Sequence, residues 1–107
     1  MGRRLPRRWL QHSVTVEPYE GSSARGPVYG EPVAVLCFLE EKNRMVRAAD
    51  GNEVVSSARF FCRLDAVTAP PESRVTLPDG RVTTVLVQAR HDAGGLPLPQ
   101  HLEVSLV

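Results

Sequence analysis

The stretch "RVTTVLVQARHDAGGLPLPQHLEVSLV" (residues 81–107) decides the fold class, because it holds two runs in which side chains alternate with a period of two. That period is typical of β-strands, whose successive side chains point to opposite faces. Glycines and prolines separate the two runs and favour a change of direction there. We therefore predict two strands. The residues expected to share one face are Thr83, Val85, Val87 and Ala89 in the first strand, and Leu102, Val104 and Leu106 in the second.

The same stretch contains a candidate metal or acid/base site, formed by His91, Asp92 and His101. A metal site needs about three ligands that converge on one point. Adjacent strand residues such as His91 and Asp92 point to opposite faces instead. The glycines and prolines between the two histidines are explained by a corner that carries the chain from one sheet edge to another. We therefore predict a structural corner here and no metal site.

Two earlier segments also have strand patterns. "HSVTVEP" (residues 12–18) alternates and places Val14 and Val16 on one face. "PVAVLCFLEE" (residues 32–41) is apolar on both faces, which predicts a central strand that is covered on both sides. A helix through residues 34–49 has some of the required spacing. However, β-branched residues before it and the turn after it favour two strands.

Two short turn motifs separate further strands. In "DGN" (residues 50–52) and in "PDG" (residues 78–80), glycine supplies the positive φ angle that a tight turn needs. The first turn is expected to join "RMVRA" (residues 44–48) to "EVVSSARFFCRL" (residues 53–64), and the second to join "SRVTL" (residues 73–77) to the strand that follows. Two prolines in "DAVTAPPE" (residues 65–72) interrupt the sheet.

The strand count predicts an all-β fold. At 107 residues the chain is long enough for one small domain. About six to seven short antiparallel strands with no convincing helical stripe indicate a small β-barrel or sandwich. We predict a flexible basic N-terminal arm at residues 1–10 and a single β-barrel domain at residues 11–107.

The arm carries charge of the opposite sign to the body. Arg3, Arg4, Arg7 and Arg8 lie among the first eight residues, which contain no acid. The whole chain has 13 basic and 12 acidic side chains, so without these four arginines the body has nine basic and twelve acidic ones, a net charge of about −3. The arm is open to three interpretations: a solvated terminus, a segment that docks on a partner through Trp9, or a tail that contacts DNA phosphates.

The sequence gives no sign of export, of a membrane span or of a zinc site. No apolar run approaches the length of a span, and the arginine-rich start lacks the apolar stretch of a secretory signal. Cys37 and Cys62 stand alone within strand-like runs, without the paired spacing of a zinc site. We expect both to be buried thiols in a reducing compartment.

No residue pattern predicts catalysis. The acidic residues lie at expected strand ends and turn tips, where a solvated surface explains them. The serines lack a nucleophile-elbow motif, and the glycine-rich segment lacks the lysine and helix of a phosphate-binding loop. We therefore expect a protein that is not an enzyme and that needs no cofactor or metal.

A long segment, Tyr19 to Glu31, contains three glycines, two serines and a proline. It is too long for a hairpin turn, and we predict a loop. Loops of this length in compact domains are usually functional or disordered.

Taken in order, "YGEPV" (residues 29–33), "GNEVVSSARFF" (residues 51–61), "LPDGR" (residues 77–81) and "GGLPLPQHLEV" (residues 94–104) resemble a known family. The chain is similar, over residues 14–107, to the small head-to-tail stopper proteins of long-tailed bacteriophages that infect actinobacteria. These are also called head-closure or head-tail connector proteins. The resemblance implies a small β-barrel with long loops, which agrees with the strand count.

The resemblance also implies a structural role in the virion neck, with assembly in the host bacterial cytoplasm. Copies would form a ring, commonly twelvefold in this family, below the portal and its head-tail adaptor. The ring would hold packaged double-stranded DNA in the head and offer a docking surface to the tail terminator or tail tube. The implied partners are therefore these proteins, neighbouring copies of the chain and the DNA in the channel, with no membrane.

Two sets of residues are candidates for that role, one for the part that closes the channel and one for partner docking. The candidate gate residues are Tyr19, Glu20, Arg25, Val28, Tyr29 and Glu31, and the candidate docking arm consists of Arg3, Arg4, Arg7, Arg8 and Trp9. The turn at residues 50–52 and the linker at residues 65–72 are the competing candidates for the gate.

An alternative function comes from another class. A small barrel with a basic tail is also typical of nucleic-acid-binding modules of the OB or SH3-like kind. Such a module places several aromatic side chains on one strand face, whereas Phe38, Phe60 and Phe61 have neighbours typical of a core. We also expect the isolated protein to be a monomer that assembles only on its partner.

Overall fold

A computed structural model of the chain describes residues 3–4, 6–91 and 99–107. These residues form eleven strands and one 3-10 turn, Arg7–Trp9. The strands are β1 (Arg3–Arg4), β2 (His12–Glu17), β3 (Tyr19–Ser23), β4 (Gly26–Tyr29), β5 (Val33–Glu40), β6 (Arg44–Arg47), β7 (Glu53–Ser56), β8 (Ala58–Cys62), β9 (Arg74–Thr76), β10 (Val82–His91) and β11 (Pro99–Leu106).

Six of these strands close into an antiparallel barrel, which confirms the predicted all-β fold and small β-barrel. The order around the barrel is β2–β5–β8–β11–β10–β9, and β9 returns to β2. Strands β8 and β11, the two barrel strands farthest apart in the open order of the sheet, pair in register from Leu102↔Cys62 to Leu106↔Ala58 and so close the barrel. Closure gives every barrel strand two neighbours, so the barrel itself exposes no sheet edge.

The core fills the barrel with the side chains that alternation predicted for β2 and β11. Val14 and Val16 of β2 are buried, and so are Leu102, Val104 and Leu106 of β11. Phe60, Cys62 and Ala58 of β8 are buried on the matching face, with Phe60 the largest side chain at the centre. Because burial of apolar surface is the main favourable term in folding, this core is a main source of the stability of the barrel.

The expectation that β5 is covered on both faces is wrong. Val35 and Cys37 point into the barrel and are buried, whereas Leu36 and Phe38 point outward and are 48% and 43% exposed. A closed barrel has one interior, and among the described residues no second layer covers this part of its outside. An apolar strand pattern therefore does not establish that both faces are covered.

The prediction that Thr83, Val85, Val87 and Ala89 share one face of β10 is correct only for the first half of the strand. A β-bulge shifts the register between Val85 and Val87, so that Gln88, and not Val87, lies opposite the buried Val104. The Gln88 side-chain oxygen accepts a hydrogen bond from the Ala69 backbone N–H at 3.0 Å. The extra residue of a bulge moves every later side chain to the opposite face, which simple alternation cannot anticipate.

The corner predicted at residues 91–101 is replaced by a connection between neighbours. Strands β10 and β11 pair directly, and His91 lies opposite His101. The chain thus returns beside the strand it left instead of crossing to another sheet edge. Asp92 and the rest of residues 92–98 lie outside the described residues.

Both predicted turns are present. Gly51 has φ +91° and Gly80 has φ +93°. Strands β6 and β7 pair around the first turn from Arg44↔Ser56 to Arg47↔Glu53 and form a two-stranded sheet outside the barrel. The returning strand is divided at Ser57, so that β7 belongs to this hairpin and β8 to the barrel.

Candidate functional site

The candidate gate segment is a β-hairpin, which corrects the prediction of a long loop. Strands β3 and β4 pair from Tyr19↔Tyr29 to Ser23↔Gly26. At the turn, the Ser23 hydroxyl donates to the Gly26 carbonyl and accepts from the Arg25 backbone N–H, each at 3.2 Å. No residue of this hairpin is fully buried, so it forms without the alternating apolar pattern by which a strand is usually recognised.

The base of this hairpin is joined to the barrel by backbone groups. The Tyr19 N–H donates to the hydroxyl of buried Ser73 at 2.9 Å, and the Gly30 N–H donates to the Pro18 carbonyl at 2.7 Å. The rings of Tyr19 and Tyr29 meet edge to face at 6.2 Å between centroids. The base is therefore held in place, while the turn that contains Arg25 extends away from these contacts.

The candidate gate residues divide into two groups. Tyr29 lies under the guanidinium of Arg74, 4.4 Å from its ring centroid, and Arg74 also pairs with Glu17 at 3.0 Å. The hydrogen bond to Glu17 raises the pKa of Arg74. The structure brings Tyr19 and Tyr29 together at the base of the hairpin. It leaves the other four exposed and apart from that contact: Glu20, Arg25, Val28 and Glu31.

The basic arm lies partly along the body. Strand β1 pairs in parallel with β11, with Arg3 opposite Pro99 and Arg4 opposite Gln100. The following 3-10 turn exposes Arg7, Arg8 and Trp9, and Trp9 is 47% exposed. Leu10 is buried and anchors the end of the arm. The described part of the arm therefore has backbone pairing to β11 and an anchor at Leu10.

A row of aromatic rings, which was not predicted from the sequence, crosses the outside of the barrel. Ring centroids are separated by 5.9 Å for His12–Phe38, 6.4 Å for Phe38–Phe61, 5.6 Å for Phe61–His101 and 4.6 Å for the stacked His101–His91 pair. The five rings come from β2, β5, β8, β11 and β10 in barrel order. Phe60 and Cys37 point into the barrel, so their neighbours Phe61 and Phe38 point outward. The alternation of β8 was a signal for Phe61, whereas the apolar pattern on both faces of β5 gave none for Phe38.

An ionic cluster lies beside this row and is centred on Glu103. The Glu103 carboxylate contacts Arg44 at 3.1 Å, Arg59 at 3.0 Å and His91 at 3.1 Å. Burial acts to raise the pKa of Glu103. The hydrogen bonds from Arg59 and His91 and the two arginine charges outweigh burial, so its pKa lies below the usual value. Arg59 also pairs with Glu40 at 2.7 Å and lies 4.8 Å from the Phe61 ring centroid. The two arginines are thus balanced by two carboxylates.

The histidines of the opening stretch belong to the aromatic row. His91 and His101 stack, and the His101 Nδ1 atom is buried without a hydrogen-bond partner among the described residues. Within the described part of the chain, no group of three or more His, Cys, Asp or Glu side chains is placed to hold a metal ion. The positions of the two rings therefore follow from strand pairing and ring contacts.

A groove of about 350 Å³ opens near the C-terminus. The Ser57 and Thr83 hydroxyls at its wall donate to the Val107 carbonyl at 2.6 and 2.9 Å, and Arg81 pairs with Glu41 and Asp79. These two hydroxyls and these three charged side chains therefore already have partners within the chain.

The two cysteines face each other inside the barrel. Cys37 and Cys62 are paired across β5 and β8, and neither side chain is exposed. Burial raises the pKa of each thiol to about 12. Because the thiolate is the reactive form, both are protected in the folded protein.

Comparison with known proteins gives no relative for this fold and these surfaces: the chain matches no protein-family model, no curated protein and no solved structure. In the described ranges, no helix has the length and apolar character needed to cross a membrane.

Proposed function

We propose that the chain is a structural protein of the bacteriophage head-tail connector, where it forms the ring that stops packaged DNA from leaving the head. The observation that carries this proposal is the closed barrel with two projecting hairpins. A small barrel with long connecting segments is the fold implied by the resemblance to head-to-tail stoppers. The ordered motifs over residues 14–107 support the same family.

Ring assembly requires two different surfaces on each copy, since one face must meet another face of the next copy. The chain has several exposed apolar side chains on separate elements, including Leu36 and Phe38 on β5 and Met45 and Val55 on the β6–β7 hairpin. Contiguous exposed apolar patches mark interaction sites in soluble proteins, and we propose these small groups as the contact points between copies. The arginines and Trp9 of the arm add a third surface, suited to the adaptor or portal above the ring.

The β3–β4 hairpin is the proposed gate. Its base is tied to Ser73, and its tip carries Arg25, whose charge suits the phosphates of double-stranded DNA in the channel. Val28 is 41% exposed and lies on the same hairpin. A hairpin that pivots at its base can close or open a channel without unfolding the barrel. The tail terminator or tail tube would dock on the opposite side of the ring.

Electron microscopy of particles from a phage that lacks this protein tests the proposal. We expect DNA-filled heads that lose their genome, beside free tails that have not attached. A phage carrying Arg25→Ala is the sharper second test, and we expect heads that join tails but lose more DNA than those of the unaltered phage. Heads that fill, remain sealed and join tails normally without the protein would contradict the proposal.

A nucleic-acid-binding module is the second candidate, and the aromatic row is the observation that favours it. Phe38 and Phe61 lie on the outer face of adjacent strands, with Arg59 over Phe61, which resembles a stacking platform for bases. The charge of the region argues against it, because Glu40 and Glu103 neutralise Arg59 and Arg44. Binding to single-stranded DNA that weakens steeply with salt and is lost in Phe38→Ala would support this alternative.

A further inference from the structure

Two apolar surfaces lie on different strands of the molecule. The first, called here the β5 face, consists of the exposed side chains of Leu36 and Phe38 on β5 together with the half-buried Phe61 of β8. The second, called the hairpin pair, consists of Met45 and Val55, which lie directly opposite each other on β6 and β7. Met45 is 60% exposed and Val55 is 58% exposed.

The hairpin pair points away from its own barrel. On the other face of the same hairpin, Arg44 reaches the barrel and contacts Glu103, and Ser56 is buried with its hydroxyl donating to the Leu106 carbonyl at 2.7 Å. Because side chains alternate along β6 and β7, these inward contacts fix Met45 and Val55 outward. The hairpin is thus anchored by one face and presents the other to a second molecule.

The two surfaces also match in charge. Beside the hairpin pair, Arg47 and Glu53 lie opposite each other, exposed and 4.0 Å apart. Beside Phe38, the pair Glu40 and Arg59 lies across β5 and β8. Each surface therefore has an apolar pair followed by a cross-strand pair of opposite charges. When the apolar pairs are in contact, Arg47 can face Glu40 while Glu53 faces Arg59.

We propose that the hairpin pair of one copy packs on the β5 face of the next copy of this chain. The inference deepens the proposed function and rests on it, because it names the two surfaces by which a ring would form. The contact is heterologous, since a hairpin meets a sheet face, and heterologous contacts that close generate rings. The Leu36, Phe38 and Phe61 side chains would form the acceptor, and Met45 and Val55 the projection that enters it.

The contact is expected to be weak between two isolated copies. It is centred on about five apolar side chains, which is less than the 20–30 residues a side of a standard stable interface. Copies held side by side on a template would each make this contact twice, once with each neighbour. Weak pairwise contacts then suffice for a closed ring.

Cross-linking between cysteine variants tests the pairing directly. Met45→Cys and Leu36→Cys place thiols on the two surfaces, while native Cys37 and Cys62 stay buried and unreactive. Differently tagged copies of the two variants are mixed at about 1 mM, where a contact with a Kd of about 1 mM is substantially occupied, and are treated with a short bis-maleimide. We expect cross-links between the two variants, and a ladder of oligomers when both substitutions are in one chain.

A matched control is available at Val82, which is 60% exposed like Met45 but lies on the barrel strand β10. Val82→Cys mixed with Leu36→Cys is expected to give no cross-link above background. Likewise, Val55→Asp in the chain that carries both Met45→Cys and Leu36→Cys should lower the ladder about tenfold, because a carboxylate would enter an apolar contact. Val82→Asp should leave the ladder unchanged.

The outcomes separate this inference from the proposed function. Cross-links only between two Met45→Cys copies, or only between two Leu36→Cys copies, would indicate a two-fold contact and overturn the inference. No cross-link at this concentration would overturn it as well, whatever the deletion phage shows. If the expected cross-links form but a phage lacking the protein retains its DNA and joins its tails, the contact stands and the stopper function is wrong.

Discussion

The two thiols inside the barrel show how burial controls the chemistry of single residues. Cys37 and Cys62 are neighbours across β5 and β8, and burial raises the pKa of each to about 12. At pH 8 almost no thiolate forms, and reagents cannot reach the sulfur atoms. Their reactivity therefore depends on opening of the barrel.

We predict that a maleimide reagent at pH 8 labels neither cysteine of the folded protein within minutes and labels both in denaturant. The measurement is mass spectrometry of samples quenched over time, and the single exposed thiol added by Met45→Cys serves as a positive control. Rapid labelling of the unaltered folded protein would show that the barrel opens locally at β5 and β8.

Glu103 is the residue on which the outer ionic cluster depends. Its carboxylate forms ion pairs with Arg44 and Arg59 and contacts the His91 ring, and its side chain is 18% exposed. Glu103→Gln would leave two partly buried arginines with one carboxylate fewer, so we predict a loss of about 1–3 kcal/mol in the free energy of unfolding. Glu53→Gln is the matched control, because the Arg47–Glu53 pair is exposed and is expected to contribute less than about 1 kcal/mol.

The pH dependence of stability provides a second measurement on the same variant. The pKa of Glu103 is lower in the folded protein than its usual 4.5, so the folded state binds fewer protons than the unfolded state as pH falls. Its contribution is present above pH 4.5 and is lost as the pH falls through the folded-state pKa. Chemical denaturation at pH 7 and pH 3 should show a smaller drop in stability for Glu103→Gln than for the unaltered protein. An equal drop would assign the acid sensitivity to other carboxylates.

At the scale of single elements, the β9–β10 turn depends on one glycine. Gly80 has φ +93°, its N–H donates to the Leu77 carbonyl at 2.9 Å, and an added Cβ would meet no atom within 4 Å. A substitution therefore acts through backbone conformation and not through a clash. We predict that Gly80→Ala lowers the free energy of unfolding by about 1–2 kcal/mol, while Gly80→Asn costs less because asparagine tolerates positive φ. Equal stability of all three proteins, by chemical denaturation, would contradict this account.

Strands were predictable from the sequence where apolar and polar side chains alternate and the apolar ones enter the core. The environment of the side chains on the outside of the barrel was not predictable. Val14 and Val16 in β2 and the alternation of β11 identified buried faces correctly. The period of two cannot reveal what covers the other face, so Leu36 and Phe38 were expected to be buried. The bulge after Val85 was also invisible, because inserting one residue leaves both flanking patterns intact.

In the candidate site, the pairing of β3 with β4 and the aromatic row could not be predicted, because neither produces an alternating apolar pattern in the sequence. The β3–β4 hairpin buries no side chain fully, so its pairing depends on backbone hydrogen bonds and on the turn at Ser23 and Gly26. Such pairing has little signature in the pattern of apolar residues. The aromatic row requires residues from five strands to meet, and that arrangement exists only once the barrel has closed and its register is set.

At the scale of the whole molecule, the isolated protein is predicted to be a monomer. The barrel has no open edge, and the exposed apolar side chains occur as small groups on separate elements. Each group is too small for a stable interface between two free copies, which typically needs about 800 Å² per partner. Sedimentation velocity at about 10 μM, far below a Kd of about 1 mM, should therefore give one species of 11.8 kDa. On the adaptor or portal ring, several copies of the chain would be held side by side. Their weak contacts would then act together and stabilise the assembled ring. A stable ring at this dilution would mean that the arm or the hairpins bury far more surface between copies than their exposed apolar groups provide.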